Sequence, residues 1–264
     1  MKAAKLGHIH PTAIVSDRVT IFNNVTIGAN TIIYDNVKIR DNVFIGPNSI
    51  IGEPLVGYYR DPNYVNPELV IGSNAIIRPG AFIYAGSTMG EDFQCGTNVT
   101  IREGTEIGRN CSVGTLCDIE GHCRMGDYVR LHSNVHIAQK TVLGNYVWIY
   151  PYTVFTNDMN PPSNDLVGAT VEDFVVISTN VVVMAGVRIG KDALVSAMSF
   201  VRSDVPPESV VAGNPAKRVA HIRYMRSKDT GERLYPWRMR FDGRMPWESI
   251  GYHEWMKQQN AQGK

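Results

Sequence analysis

His132 and His136, four residues apart in LHSNVHIAQKTVLGN (131–145), are the side chains in this sequence best suited to moving a proton near neutral pH. Asp118 precedes His136 by eighteen residues. A carboxylate that orients an imidazole and raises its basicity is a general-base arrangement, and a plain surface ion pair is the bland reading of the same residues. Arg102 and Glu120 share the eighteen-residue spacing and read as a structural ion pair. Asn134, between the two histidines, is either a substrate contact or the residue of a left-handed corner. His132 either projects toward a neighbouring subunit or decorates a corner. Lys217 and Arg218 can meet phosphate oxygens, or else open a solvated helix. Cys95, Cys111, Cys117 and Cys123 contain no C-x2-C pair, which speaks for reduced core thiols over a zinc knuckle. A P-loop and a Rossmann glycine fingerprint are both absent.

The elements that must position these groups follow from a six-residue period. Every sixth residue from Ile9 to Ile51, from Ile71 to Phe155 and from Val171 to Val201 is apolar without a miss. Two residues before each lies a second inward set of smaller or β-branched side chains, such as Val25, Val43, Val99, Val129 and Val181, with Cys111, Cys117 and Cys123 among them. Alternate apolar positions mean short strands. Asn24, Gly28, Asn42, Gly46, Asn74, Gly90, Asn110, Gly126, Asn145 and Gly190 recur between them and suit tight, left-handed corners. Strand and corner alternating at this period predict an all-β parallel solenoid. Three hexads make a coil of about 18 residues, so residue n stacks on n+18 and Asp118 lies beneath His136.

Hexads such as Val25-Thr26-Ile27-Gly28 and Val43-Phe44-Ile45-Gly46 resemble those of hexapeptide-repeat acyltransferases. That resemblance implies a left-handed parallel β-helix, and the hexads, at three per coil, make nine to ten coils. Carbonic anhydrases of the γ type and purely structural subunits share the solenoid, although His132 and His136 lack the five-residue step of the γ-type zinc pair. Asn134-Val135-His136-Ile137-Ala138 resembles the active-site coil of UDP-N-acetylglucosamine O-acyltransferases of lipid A synthesis, in which a catalytic histidine falls at the position matching Gln139.

Gly126-Asp127-Tyr128-Val129-Arg130 with Ser133-Asn134, then Phe155-Thr156-Asn157-Asp158, is more similar to nucleotide-linked amino-sugar N-acetyltransferases, those of dTDP-3-amino-3,6-dideoxyhexoses in particular. The early insertion with Gly57-Tyr58-Tyr59 adds to this, while Thr97 stands where members often carry histidine. This resemblance implies a homotrimer, acetyl-CoA or another acyl-CoA as cosubstrate in a groove between solenoids, and no metal. It places His136, His132 and Asn134 around the reacting atoms, with Asp118 orienting His136. Asn157, Asp158, Tyr58 and Tyr59 would meet the sugar nucleotide: Asp158 could hold the ammonium or take its proton, and Asn157 could bind the thioester end. Residues 212–219, AGNPAKRV, resemble the terminal motif of coenzyme A dependent members, which implies cofactor contacts from Asn214, Lys217 and Arg218.

The predicted organisation is a solenoid over 1–205 with loops at 53–68 and 156–170, then 206–264 as a helix at 219–228 and an aromatic tail. That tail holds Trp237, Trp247 and Trp255 and is expected to pack on the solenoid end. A net charge of +1 offers no field for nucleic acid or an anionic membrane. No run of about 18 apolar residues and no signal-type start are seen, which predicts a cytoplasmic protein.

Overall fold

The computed structural model describes residues 7–262, so the first six residues and last two of the predicted organisation lie outside the described residues. Up to Phe200–Val201 each strand pairs with the third strand after it or before it, and three sheets of ten, nine and eleven strands result among the described residues, parallel except for the last strand of the eleven-stranded one. The register advances by eighteen residues per coil, as in Thr100 on Asp118 on His136, and the outline is a three-sided solenoid. Both sets point inward; their apolar members form one continuous core from Val25 to Val211, with Thr31, Ser49 and Thr105 among the polar residues buried beside it. Ile9, in the first described coil, remains 44% exposed.

The corners explain the polar punctuation in two different ways. Asn24, Asn42, Asn74, Asn110 and Asn134 take φ between 53° and 61°. There asparagine is among the few side chains that tolerate the left-handed region. Gly28, Gly46, Gly90, Gly126 and Gly190, expected in the same conformation, do not adopt positive φ. Their need is space: a Cβ on Gly28 would stand 2.4 Å from the Pro47 nitrogen of the next coil. Asn145 also departs from the expectation, since Tyr146 takes the left-handed corner while Asn145 Oδ1 accepts from the Asp127 N–H at 2.8 Å.

The expected helix at 219–228 is not formed. Ser209–Ala212 pairs antiparallel with Lys217–His221, and the short 3-10 turn Ile222–Tyr224 follows. The reason is local: Val210 and Val211 end the eleven-stranded sheet with an open edge, which the returning strand covers. The α-helix comes later, at Tyr252–Gln262. The tail does not close the solenoid end either. Trp237, Met245 and Trp247 pack with Phe174, Val176 and Leu194 along the flank of the C-terminal coils as a second apolar cluster. Trp237 Nε1 donates to the Phe174 carbonyl at 3.0 Å, and Arg238 forks onto Asp192 beneath it.

Candidate active site

His136 stands on the outer side of the ten-stranded sheet because Ile137, beside it, must face the core. Its Nδ1 lies 3.1 Å from Asp118 Oδ2. The carboxylate can only accept, so in the neutral imidazole the proton sits on Nδ1 and Nε2 keeps its lone pair. The hydrogen bond to Asp118 holds the imidazole pKa above its ordinary value; partial burial opposes this, and the charges of Asp118 and Glu120 reinforce it.

Glu120 belongs to this group and escaped the sequence reading, which paired it with Arg102. Arg102 instead bonds its neighbour Glu103, at 3.0 and 2.8 Å. Glu120 Oε2 accepts from the Gln139 backbone N–H at 2.8 Å and from Asn157 Nδ2 at 3.4 Å. A signal for it was present: residues i and i+2 of a strand share a face, so Glu120 emerges beside Asp118. The residue eighteen beyond it, Ala138, is too small to cover it.

Asn157 thus reaches the His136 group, whereas Asp158 turns away. Asp158 Oδ1 accepts from the Asn160 N–H at 2.9 Å and from Ser163 Oγ at 2.8 Å, and Oδ2 accepts from the Ser163 N–H at 2.7 Å. Desolvation raises this carboxyl, but the bonds from Ser163 and Asn160 outweigh it and hold its pKa below the ordinary value. Its carboxylate staples the loop, which leaves the ten-stranded sheet after Val154–Phe155 and rejoins the solenoid in the nine-stranded sheet at Thr170–Val171.

The other expected residues are dispersed. His132 follows the strand Arg130–Leu131 of the eleven-stranded sheet, stacks on Tyr150 at 4.4 Å, and has its pKa lowered by burial. Asn134 occupies the left-handed corner between the two faces, with φ 59°. Tyr58 and Tyr59 sit on the exposed 3-10 turn Val56–Tyr59 of the first loop. From Ile50, on the strand that leads into that loop, four strand steps lead to His136, roughly 19 Å along the axis. Tyr59 Oη donates to Glu53 at 3.3 Å.

Above His136 the register places Val154, Val182 and Phe200 in a partly exposed apolar line. The turn 213–216 closes that line: Phe200 N–H donates to the Gly213 carbonyl at 3.0 Å and Ala216 N–H to the Phe200 carbonyl at 2.8 Å. Asn214, Lys217 and Arg218 stand exposed around this turn.

Residues 8–53 match the bacterial transferase hexapeptide (six repeats), and residues 42–147 match the GMPPB C-terminal domain. The chain is a hexapeptide-repeat protein. Among curated relatives of this hexapeptide-repeat protein, the bifunctional protein GlmU of Exiguobacterium sp. is 28% identical over 183 residues, 58% of this chain and 40% of that protein. The 2,3,4,5-tetrahydropyridine-2,6-dicarboxylate N-acetyltransferase of Staphylococcus aureus is 40% identical over 84 residues, 32% of this chain and 29% of that protein. The chain therefore spans two fifths or less of the length of these two relatives. The solved UDP-N-acetylglucosamine acyltransferase of Arabidopsis has the same fold, with TM-score 0.64 and 21% identity over 81% of this chain and 74% of that one. Among the described residues of this hexapeptide-repeat protein, no helix is long and apolar enough to cross a membrane.

Proposed function

We propose that this hexapeptide-repeat protein is an acyltransferase that moves the acetyl group of acetyl-CoA onto the amine of a nucleotide-linked deoxy-amino sugar. The observation that carries the reading is the imidazole of His136, held by Asp118 with Nε2 free, beside Glu120 and Asn157. The neutral amine attacks the thioester carbonyl, and its surplus proton passes to His136 Nε2. The C–S bond then breaks, and the same imidazolium returns a proton to the leaving sulfur. Placing amine and thioester together supplies much of the rate, since a free amine is already nucleophilic. Asn157 donates toward the thioester end. Glu120, whose Oε1 has no hydrogen-bond partner among the described residues, steadies the substrate ammonium before it is deprotonated; Asp158 acts one step back by shaping the loop.

The apolar line from His136 past Val154 and Val182 to Phe200 is about 14 Å long at three strand steps, and it suits the pantetheine arm of the cosubstrate. Its far end meets Asn214, Lys217 and Arg218, where phosphate oxygens find cationic donors. A homotrimer would wall this open face with a second solenoid, and a solution mass of three chains is the expected result. The N-acetyltransferase relative of Staphylococcus aureus supports acyl transfer to nitrogen.

Offering dTDP-, UDP- and GDP-linked amino sugars with acetyl-CoA, and reading products by mass spectrometry, tests the proposal. An acetylated amide product from at least one is expected. A panel without any acylated sugar would overturn it.

A further inference from the structure

The tail does not lie flush on the solenoid. Between them opens a cleft of about 480 Å³, with Arg130, His132 and Trp148 on the solenoid side and Phe241 and Arg244 on the tail side. No carboxylate lines it among the described residues. Arg130 is only 6% exposed, yet its guanidinium donates to neutral acceptors alone: the Asn110 carbonyl, Asn110 Oδ1 at 2.8 Å, the Val129 carbonyl at 3.3 Å and the Arg244 carbonyl at 3.2 Å. Neither Arg130 nor the Arg244 side chain has an ion-pair partner among the described residues, whereas the other deeply set arginine, Arg238, is matched by Asp192. Burying a cation without a counter-charge is costly, so a cleft that holds the buried Arg130, with the exposed Arg244 at its rim, favours an anion. Burial presses the Arg130 pKa below its ordinary value; Cys111 opposes this and the charge of Arg244 adds to it.

The same cleft carries flat apolar surface. Trp148 and Phe241 meet edge to face at 5.3 Å, His132 lies 6.2 Å from Trp148, and Trp148 Nε1 is buried without a hydrogen-bond partner among the described residues. An anion next to an aromatic shelf is the chemistry of a nucleotide. We infer that this cleft is a nucleoside-phosphate site, the phosphate on Arg130 and Arg244 and the base against His132, Trp148 and Phe241. The inference rests on the nucleotide-linked substrate proposed above. His132 thereby gains a place in binding, one coil-corner away from the proton-transfer group.

Two sources share this chemistry, the nucleoside diphosphate of the sugar and the adenosine phosphate end of coenzyme A. Calorimetry on the full chain with dTDP, UDP, GDP, coenzyme A and adenosine 3′,5′-bisphosphate separates them. Arg244→Glu and Phe241→Ala change exposed side chains and should leave the fold intact. A nucleoside diphosphate is expected to bind, with Arg244→Glu weakening it at least about tenfold and leaving coenzyme A unchanged. A loss confined to coenzyme A and the bisphosphate supports the cleft and reassigns its occupant. Absence of binding by every probe at about 1 mM, or unchanged affinities in both variants, overturns it. Acyl transfer that ignores both variants defeats the cleft alone, while nucleotide binding without any acyl transfer supports the cleft and defeats the transferase proposal.

Discussion

Asp118 and His136 lie eighteen residues apart along the chain and 3.1 Å apart across two paired strands. The solenoid period brings them together, and the outward side of each strand leaves the imidazole open to a substrate. A carboxylate beneath an imidazole fixes both its tautomer and its basicity, which gives the pH dependence a definite sign.

The base form of His136 appears only as pH rises through its raised pKa, so kcat/KM should climb with pH through that value. Asp118→Asn replaces the charged acceptor that raises it with a neutral one, and the ascending limb should move to lower pH while kcat falls. The pair's contribution to stability has its own sign: it is full below the ordinary imidazole value of 6.5 and is lost as pH rises through the raised one. A pH–rate profile of the variant checks this, and an unmoved limb would detach Asp118 from the imidazole.

Asp158 and Ser163 should behave as one unit. Because both Asp158 oxygens bond Ser163, Ser163→Ala and Asp158→Ala are each expected to raise KM for the sugar several-fold through a loosened loop, with kcat kept within about threefold. Steady-state kinetics decide it. A collapse of kcat in Asp158→Ala alone would mean that its carboxylate meets the reacting amine.

Trp247 is fully buried in the tail cluster and donates from Nε1 to the Phe241 carbonyl at 2.9 Å. Trp247→Ala should cost about 3–5 kcal/mol, borne by the tail because the solenoid core is a separate cluster. Limited proteolysis should then trim the chain beyond about residue 225 and spare the coils. Equal protease resistance of variant and parent would contradict this.

The four cysteines should be chemically silent in the folded chain. Burial pushes the Cys95, Cys111 and Cys123 thiols up to about 12 and Cys117 to about 11. A thiol-reactive chromophore at pH 8 is expected to label all four only after denaturation, and rapid labelling of the native chain would refute it.

The solenoid was legible because its period is dictated by burial. An inward apolar residue every six positions leaves no other register, and the Asp118 and His136 contact followed from that arithmetic alone. The face that Glu120 shares with Asp118 was legible but its partner was not, since stacking predicts which Cα atoms neighbour one another and not which rotamer a long side chain selects; Arg102 found Glu103 nearer. The glycines misled for a related reason: Gly28 and Asn24 both mark corners, but one yields space to the coil above and the other bends the chain. In the tail no period operates. The strand Lys217–His221 forms because a sheet edge is waiting for it, a tertiary cause invisible in its own residues. The separation of His132 from His136 is likewise set by a corner at Asn134, whose turn sends the two rings to different faces.

The most direct measurement is release of the coenzyme A thiol when acetyl-CoA and an accepted nucleotide-linked amino sugar are mixed with the parent chain and with His136→Ala at neutral pH. Sugar-dependent release is expected from the parent, and a fall in kcat of about a hundredfold or more from the variant. An unchanged kcat in a folded His136→Ala chain, or no sugar-dependent release from the parent, would contradict proton transfer at His136.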